Sequence, residues 1–189
     1  MAAFAAACAM LGAPAMAGEL PPDEALAVIN AVRQQVAECT SRSPGLPRMQ
    51  PVGTASPSSR PALAWNPQLA AAAEQHARAM AEQNFFDHTD PQGRGVAQRA
   101  TAAGYRWRMV GENLAAGQRT LEDALRGWVL SESHCRNLLD ERFVEVGLAR
   151  VASTRSGDRY RVYWAMVLGR PTAPIRTAMA AAPEAGATP

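Results

Sequence analysis

The sequence predicts an α+β fold, an antiparallel sheet packed by helices, and three observations predict it. Helical periodicity with recognisable caps recurs after Pro22, Asn66 and Thr120. Strand character is concentrated late, in Phe143 to Arg150 and Tyr160 to Leu168. Ser156-Gly157-Asp158 turns the chain between those two segments, so they pair as an antiparallel hairpin.

Each element has its own local reason. Pro21-Pro22-Asp23-Glu24 opens a helix with acidic residues in its first turn, and Leu26, Ile29, Val32 and Val36 form its apolar stripe. That pattern ends near Cys39, and residues 41–61 are rich in Ser, Pro and Gly, which predicts a surface loop. Asn66-Pro67 supplies an N-cap and a first-turn proline. Leu69, Ala72, Ala73, His76, Ala77 and Met80 then share one helix face as far as Asn84. Gly93 to Ala103 reads as a short helix stopped by Gly104. Gly111 to Ala116 reads as a third strand. Thr120 to Asp123 resembles a capping box, ahead of a helix whose apolar face is Leu121, Ala124, Leu125 and Trp128. Phe143 to Arg150 alternates, whereas Tyr160 to Leu168 is apolar on both faces and is therefore the central strand. The four tryptophans fall on separate elements, so core packing is the default for each.

Composition narrows the function classes. The 189 residues suffice for one domain with a real core. Nineteen basic against 17 acidic residues give a net charge of +2 with no cationic block, which argues against nucleic acid as a partner. Residues 1–17 lack charged side chains and end Ala15-Met16-Ala17, a small-x-small pattern that predicts a cleaved signal peptide. An uncleaved anchor is the competing reading, but Gly12 and Pro14 break the apolar run, and a span needs roughly 20 apolar residues. No later segment could cross a bilayer. The expected location is therefore secreted or periplasmic. Cys8 would leave with the leader, and Cys39 and Cys135 in an exported chain read as a disulfide, the alternative being two separate thiols. Beyond Gly169 the chain turns Ala/Pro/Thr-rich, and residues 172–189 read as a disordered tail.

Few residues could do chemistry. Of three histidines, His76 lies on the apolar face of its helix and reads as a packed core residue. His88 sits in the polar turn Asp87-His88-Thr89-Asp90, and His134 lies beside Cys135. Glu112, between Gly111 and Asn113 at the edge of an apolar strand, needs partners if it is buried. Two imidazoles with one or two carboxylates suit a divalent cation with open positions, or acid/base work on a bound water. Ser131 and Ser133 lie near His134, but without a Gly-x-Ser-x-Gly elbow they read as caps. Gly93-Arg94-Gly95 is too short for a phosphate loop.

Several of these segments together carry a specific resemblance. Phe85-Phe86-Asp87-His88-Thr89, Ala103-Gly104-Tyr105, Gly111-Glu112-Asn113-Leu114-Ala115-Ala116-Gly117, Trp128 with Ser131, His134, Asn137 and Leu138, and Tyr163 to Gly169 occur in that order. The chain resembles the bacterial, SCP-like branch of the CAP superfamily, which includes cysteine-rich secretory proteins, venom antigen 5 allergens and plant pathogenesis-related proteins. The resemblance spans roughly residues 23–171. It implies an α-β-α sandwich with a small antiparallel sheet flanked by helices and an open central cleft. Many members carry two histidines and two glutamates there, and some bind zinc or another divalent ion.

On that pattern His88 matches the first histidine and Glu112 the glutamate of the Gly-Glu-Asn motif. Glu132 is the nearest candidate for the second glutamate, displaced by about one position. Val162 stands where the second histidine of the eukaryotic pattern would be, so His134 is expected to replace it from the neighbouring helix. The resemblance therefore implies a binding module for a small hydrophobic, peptide or cell-envelope ligand. The alternative is a metal-dependent peptide or ester hydrolase, with candidate catalytic residues His88, Glu112, His134 and Glu132, and a metal, if present, on His88 and His134.

Overall fold

The computed structural model describes residues 21–39 and 60–172. Residues 1–17, read as a signal peptide, most of the 41–61 loop and the segment beyond Thr172 lie outside the described residues. Helices α1 (Pro22–Gln35), α2 (Pro67–Gln83), α3 (Val96–Ala102), α4 (Leu121–Leu130) and α5 (Glu132–Leu139) surround strands β1 (Ala64–Trp65), β2 (Trp107–Ala116), β3 (Glu145–Ala152) and β4 (Val162–Pro171). The sheet order is β1-β3-β4-β2.

The local signals act as read. Asn66 accepts hydrogen bonds from the Gln68 and Leu69 amides at 2.9 and 3.1 Å, with Pro67 at the first helical position of α2. Thr120 caps α4 through the Asp123 amide. All six residues of the expected α2 face are buried, and α2 ends at Asn84 in the left-handed conformation. Strand β4 pairs antiparallel with both β2 and β3 and is buried from Val162 through Gly169 or nearly so, as a central strand must be. Its alternating residues serve two cores. Val162, Trp164, Met166 and Leu168 pack with α1, α4 and α5. Tyr163, Ala165 and Val167 pack with Leu69, Ala73 and Ala77 of α2 and Ala100 of α3.

Several expectations need correction. The sheet is mixed, because β1, only two residues long, runs parallel to β3. Two residues carry no periodicity, so this strand left no signal. Strand β4 begins at Val162 and not Tyr160. The buried Asp158 carboxylate accepts from the Tyr160 and Arg161 amides at 2.8 and 2.7 Å and holds both in the turn. Helix α1 buries Ala25, Ile29 and Arg33, while Leu26 and Val32 only flank the core. Trp128 and Trp164 are core residues, but Trp65 and Trp107 are half-buried. Ser131 occupies the cap position of α5 without a side-chain capping bond, and its hydroxyl meets Ser133 at 3.5 Å.

Cys39 and Cys135 form a disulfide that ties the end of α1 to α5. Nearby, Arg60 donates to the Arg33, Val36 and Ala37 carbonyls at 2.9, 2.8 and 2.6 Å, supplying partners that the end of α1 lacks. The disulfide spans 96 positions of sequence. Cys39→Ser with Cys135→Ser is expected to cost about 2–5 kcal/mol, read from the urea midpoint against the oxidised parent. A shift below about 1 kcal/mol would mean that the bridge adds nothing to the packing around it.

Candidate functional site

The site is assembled at β2, the outer strand of the sheet. Glu112 and Leu114 face α2 and α3, whereas Ala115 packs into the opposite core. Asn113, between them, reaches α5. One strand thus presents neighbouring side chains to both layers.

Glu112 is buried, with 2% of its side chain exposed, and each of its carboxylate oxygens accepts a hydrogen bond. One oxygen accepts from Arg99 of α3 at 2.7 Å, and the other from His88 Nδ1 at 2.8 Å. A carboxylate can only accept here, so Nδ1 carries the proton and Nε2 is left as the outward-facing lone pair when the ring is neutral. Arg99 is itself buried and also donates to the Arg94 and His88 carbonyls at 2.6 and 3.1 Å. The polar turn is organised by Asp90, whose carboxylate accepts from the Gln92 and Arg94 amides and from the Arg94 side chain.

His134 arrives from the other layer. Its carbonyl accepts from Asn113 Nδ2 at 2.9 Å. Asn137 of α5 donates to the Asn113 side-chain oxygen at 3.1 Å and the Glu112 carbonyl at 3.2 Å. These bonds hold the helix against the strand that carries Glu112, and the disulfide at Cys135 ties it to the end of α1. The His88 and His134 ring centroids are 6.4 Å apart. The structure therefore places the His88 ring against Glu112 and near the His134 ring.

Glu132 does not join them. It lies in the first turn of α5 and pairs with Arg136 one turn on. Val162 is the first residue of β4 and is buried in the core beneath α4, so a side chain there serves packing. His76 is buried on α2 as expected. Sequence reasoning missed Arg99, the counter-ion of Glu112. A lone arginine in a seven-residue helix has no pattern to betray it. The available signal was physical: a carboxylate buried on β2 requires a cation.

The two imidazoles titrate in opposite directions. The hydrogen bond to Glu112 raises the His88 pKa above its ordinary value near 6.5, against partial burial. Burial, and then the charge of His88, lower that of His134. His88 charge therefore stabilises the fold below pH 6.5, and this contribution is lost as pH rises through the raised midpoint. The ring is more than half exposed, so the effect on stability is small. A proton NMR titration should show His88 above 6.5 and His134 below it, with Glu112→Gln pulling the His88 midpoint down. Coincident midpoints would contradict this geometry.

Zinc takes four protein ligands in structural sites and three in catalytic ones. Among the described residues no group of three or more His, Cys, Asp or Glu side chains could hold a metal ion. The donor set facing outward at this site is two imidazoles, because the Glu112 carboxylate is buried against Arg99 and His88. It falls short of a protein-built metal centre.

Comparison with known proteins agrees with the fold. The uncharacterized protein YkwD of Bacillus subtilis is 32% identical over 85 residues, which cover 45% of this chain and 33% of YkwD. An extracellular protein from Bacillus anthracis that contains an SCP domain is 31% identical in solved structure, with a TM-score of 0.51, over 58% of this chain and 34% of that one. The chain thus spans about a third of the length of either relative. An outer surface protein of Borrelia burgdorferi shares the fold at 22% identity and a TM-score of 0.52, over 58% of this chain and 77% of that one. Residues 26–168 match the cysteine-rich secretory protein family along nearly the whole described fold, and this chain belongs to that family, the CAP proteins.

Proposed function

We propose that this protein is an exported CAP-domain binding module whose His88–His134 site takes an amphipathic ligand, a peptide or a lipid-like component of the cell envelope. The observation that carries this reading is the placement of the exposed apolar residues. Among the described residues, the exposed large hydrophobics are Phe86 and Leu130, at 43% and 51%. They stand two residues before His88 and four before His134. Apolar side chains exposed close in sequence to both histidines suit a ligand with a polar head and an apolar body.

The engagement of Glu112 favours binding over hydrolysis. A general base must reach the water it activates, whereas the Glu112 carboxylate is buried, one oxygen against Arg99 and the other against His88. A metal-activated water would need a third protein ligand. Export accords with the apolar leader, with the disulfide, which suits an oxidising compartment, and with the extracellular and outer-surface descriptions of the two relatives. Among the described residues no helix is long and apolar enough to cross a membrane.

The test is the metal and ligand content of protein purified from periplasm and medium. Solvent extraction and mass spectrometry should find a near-stoichiometric amphipathic molecule. Phe86→Ser with His88→Ala should reduce its retention by about tenfold, the loss of one or two good contacts. A near-stoichiometric metal with His88-dependent turnover of a peptide or ester panel would replace the binding reading by the hydrolase one.

A further inference from the structure

His76 is a buried histidine that the binding reading leaves unused. It is 1% exposed, on the α2 face that also carries Ala73, Ala77 and Met80. A polar ring in that place is costly unless it makes a hydrogen bond. Its Nε2 lies 2.9 Å from the Asp87 carbonyl oxygen. A carbonyl only accepts, so Nε2 carries the proton and the ring is held as that tautomer. Phe85 meets the ring edge-on at 5.8 Å and restricts its rotation. Burial lowers the His76 pKa, which keeps the ring neutral.

The Asp87 carbonyl belongs to the peptide unit that leads into His88. The next carbonyl, that of His88, accepts from Arg99 at 3.1 Å. The Thr89 amide donates to the Asp87 carboxylate at 2.7 Å. Both carbonyls flanking the His88 Cα are thus held by buried side chains, one from α2 and one from α3. The ring of His88, by contrast, is 58% exposed and has little packing to fix it. The direction of the ring is set through its backbone.

The geometry points to His76 as a positioning residue: by gripping the Asp87 carbonyl it aims His88 Nδ1–H at Glu112 and leaves Nε2 facing the ligand. This role rests on the reading of His88 as a ligand contact. It differs from a core residue that only fills volume, for which any side chain of similar size would serve. Glutamine can place a donor nitrogen where His76 Nε2 lies. Phenylalanine fills the space and donates nothing.

The experiment uses the whole mature protein, labelled with 15N, at a pH above the His88 midpoint. Long-range proton–nitrogen spectra assign the tautomer of each histidine. The native protein should show His76 as Nε2–H and His88 as Nδ1–H. His76→Gln should preserve the His88 signature. In His76→Phe its Nδ1–H to Nε2–H ratio should fall by about tenfold, as loss of one aimed hydrogen bond to a carboxylate implies. Three results would overturn the inference: His76 as Nδ1–H in the native protein, an unchanged His88 signature in a folded His76→Phe, or failure of glutamine to preserve it. Should circular dichroism show His76→Phe unfolded, the native tautomers and His76→Gln still decide. If the tautomers behave as expected but no ligand is retained, the binding reading fails and the positioning role stands.

Discussion

Gly147→Ala is expected to destabilise the protein by more than about 3 kcal/mol, at or beyond the upper end for overpacking a core. A Cβ at Gly147 would lie 2.0 Å from the Ala70 nitrogen, 2.3 Å from the Leu69 carbonyl carbon and 2.6 Å from the Ala70 Cα. All three atoms are backbone, so no side chain can rotate aside. Helix α2 rests directly on β3 at this point, and Leu69 beside it is fully buried. Relief would require lifting the helix off the sheet or bending the strand. Either movement separates α2 from Tyr163, Ala165 and Val167 of β4. Gly157→Ala supplies the contrast, because its Cβ meets nothing and the cost is the positive φ of 78° alone, about 1–2 kcal/mol. Urea midpoints for the two variants measure the difference. A Gly147→Ala protein within about 1 kcal/mol of the parent would refute the close approach of α2 to β3.

The second large effect concerns the ion pair beneath the site. Arg99→Met should cost about 3–5 kcal/mol, the usual penalty for stranding one partner of a buried pair. It leaves the Glu112 carboxylate with His88 alone and removes the donors that hold the Arg94 and His88 carbonyls. Arg99→Met combined with Glu112→Leu should recover much of that loss, since apolar replacement of a whole buried pair is often near neutral. The thermodynamic cycle through Arg99→Met, Glu112→Leu and the double variant measures the coupling. If the double variant is as unstable as the sum of the singles, the two side chains do not act as a pair. The recovered double variant should still fail to retain ligand, because His88 has lost its acceptor.

Much of the fold was legible because its signals are local. Asn66-Pro67 and Thr120 state where α2 and α4 begin, and the continuous apolar run of β4 states that it is central. What escaped depends on distant partners. Strand β1 exists because Ala64 and Trp65 find Glu145 and Val146, some 80 positions later, not because two residues prefer extension. Arg33 of α1 is buried against the local logic of an amphipathic helix, with the Pro61 carbonyl taking one of its donors. At the site the same division holds. His88, Glu112 and His134 were readable as scarce polar residues in a motif order. Arg99, which makes the burial of Glu112 tolerable, was not. Glu132 looked suitable by distance along the chain, yet one position on a helix turns a side chain by about 100°, and it faces Arg136 instead.

The bonds from α4 and α5 to β2 have one further consequence. Among the described residues no fifth strand lies beyond β2, and such an edge invites a second chain to add itself. Here the Glu112 carbonyl is taken by Asn137 and the Leu114 carbonyl by the Trp128 indole at 2.8 Å. An incoming strand would find those acceptors already spent and two helices in its way. The residues that seat α4 and α5 on β2 are thus also a guard against aggregation, and removing Asn137 would expose the protein to self-association as well as loosening His134.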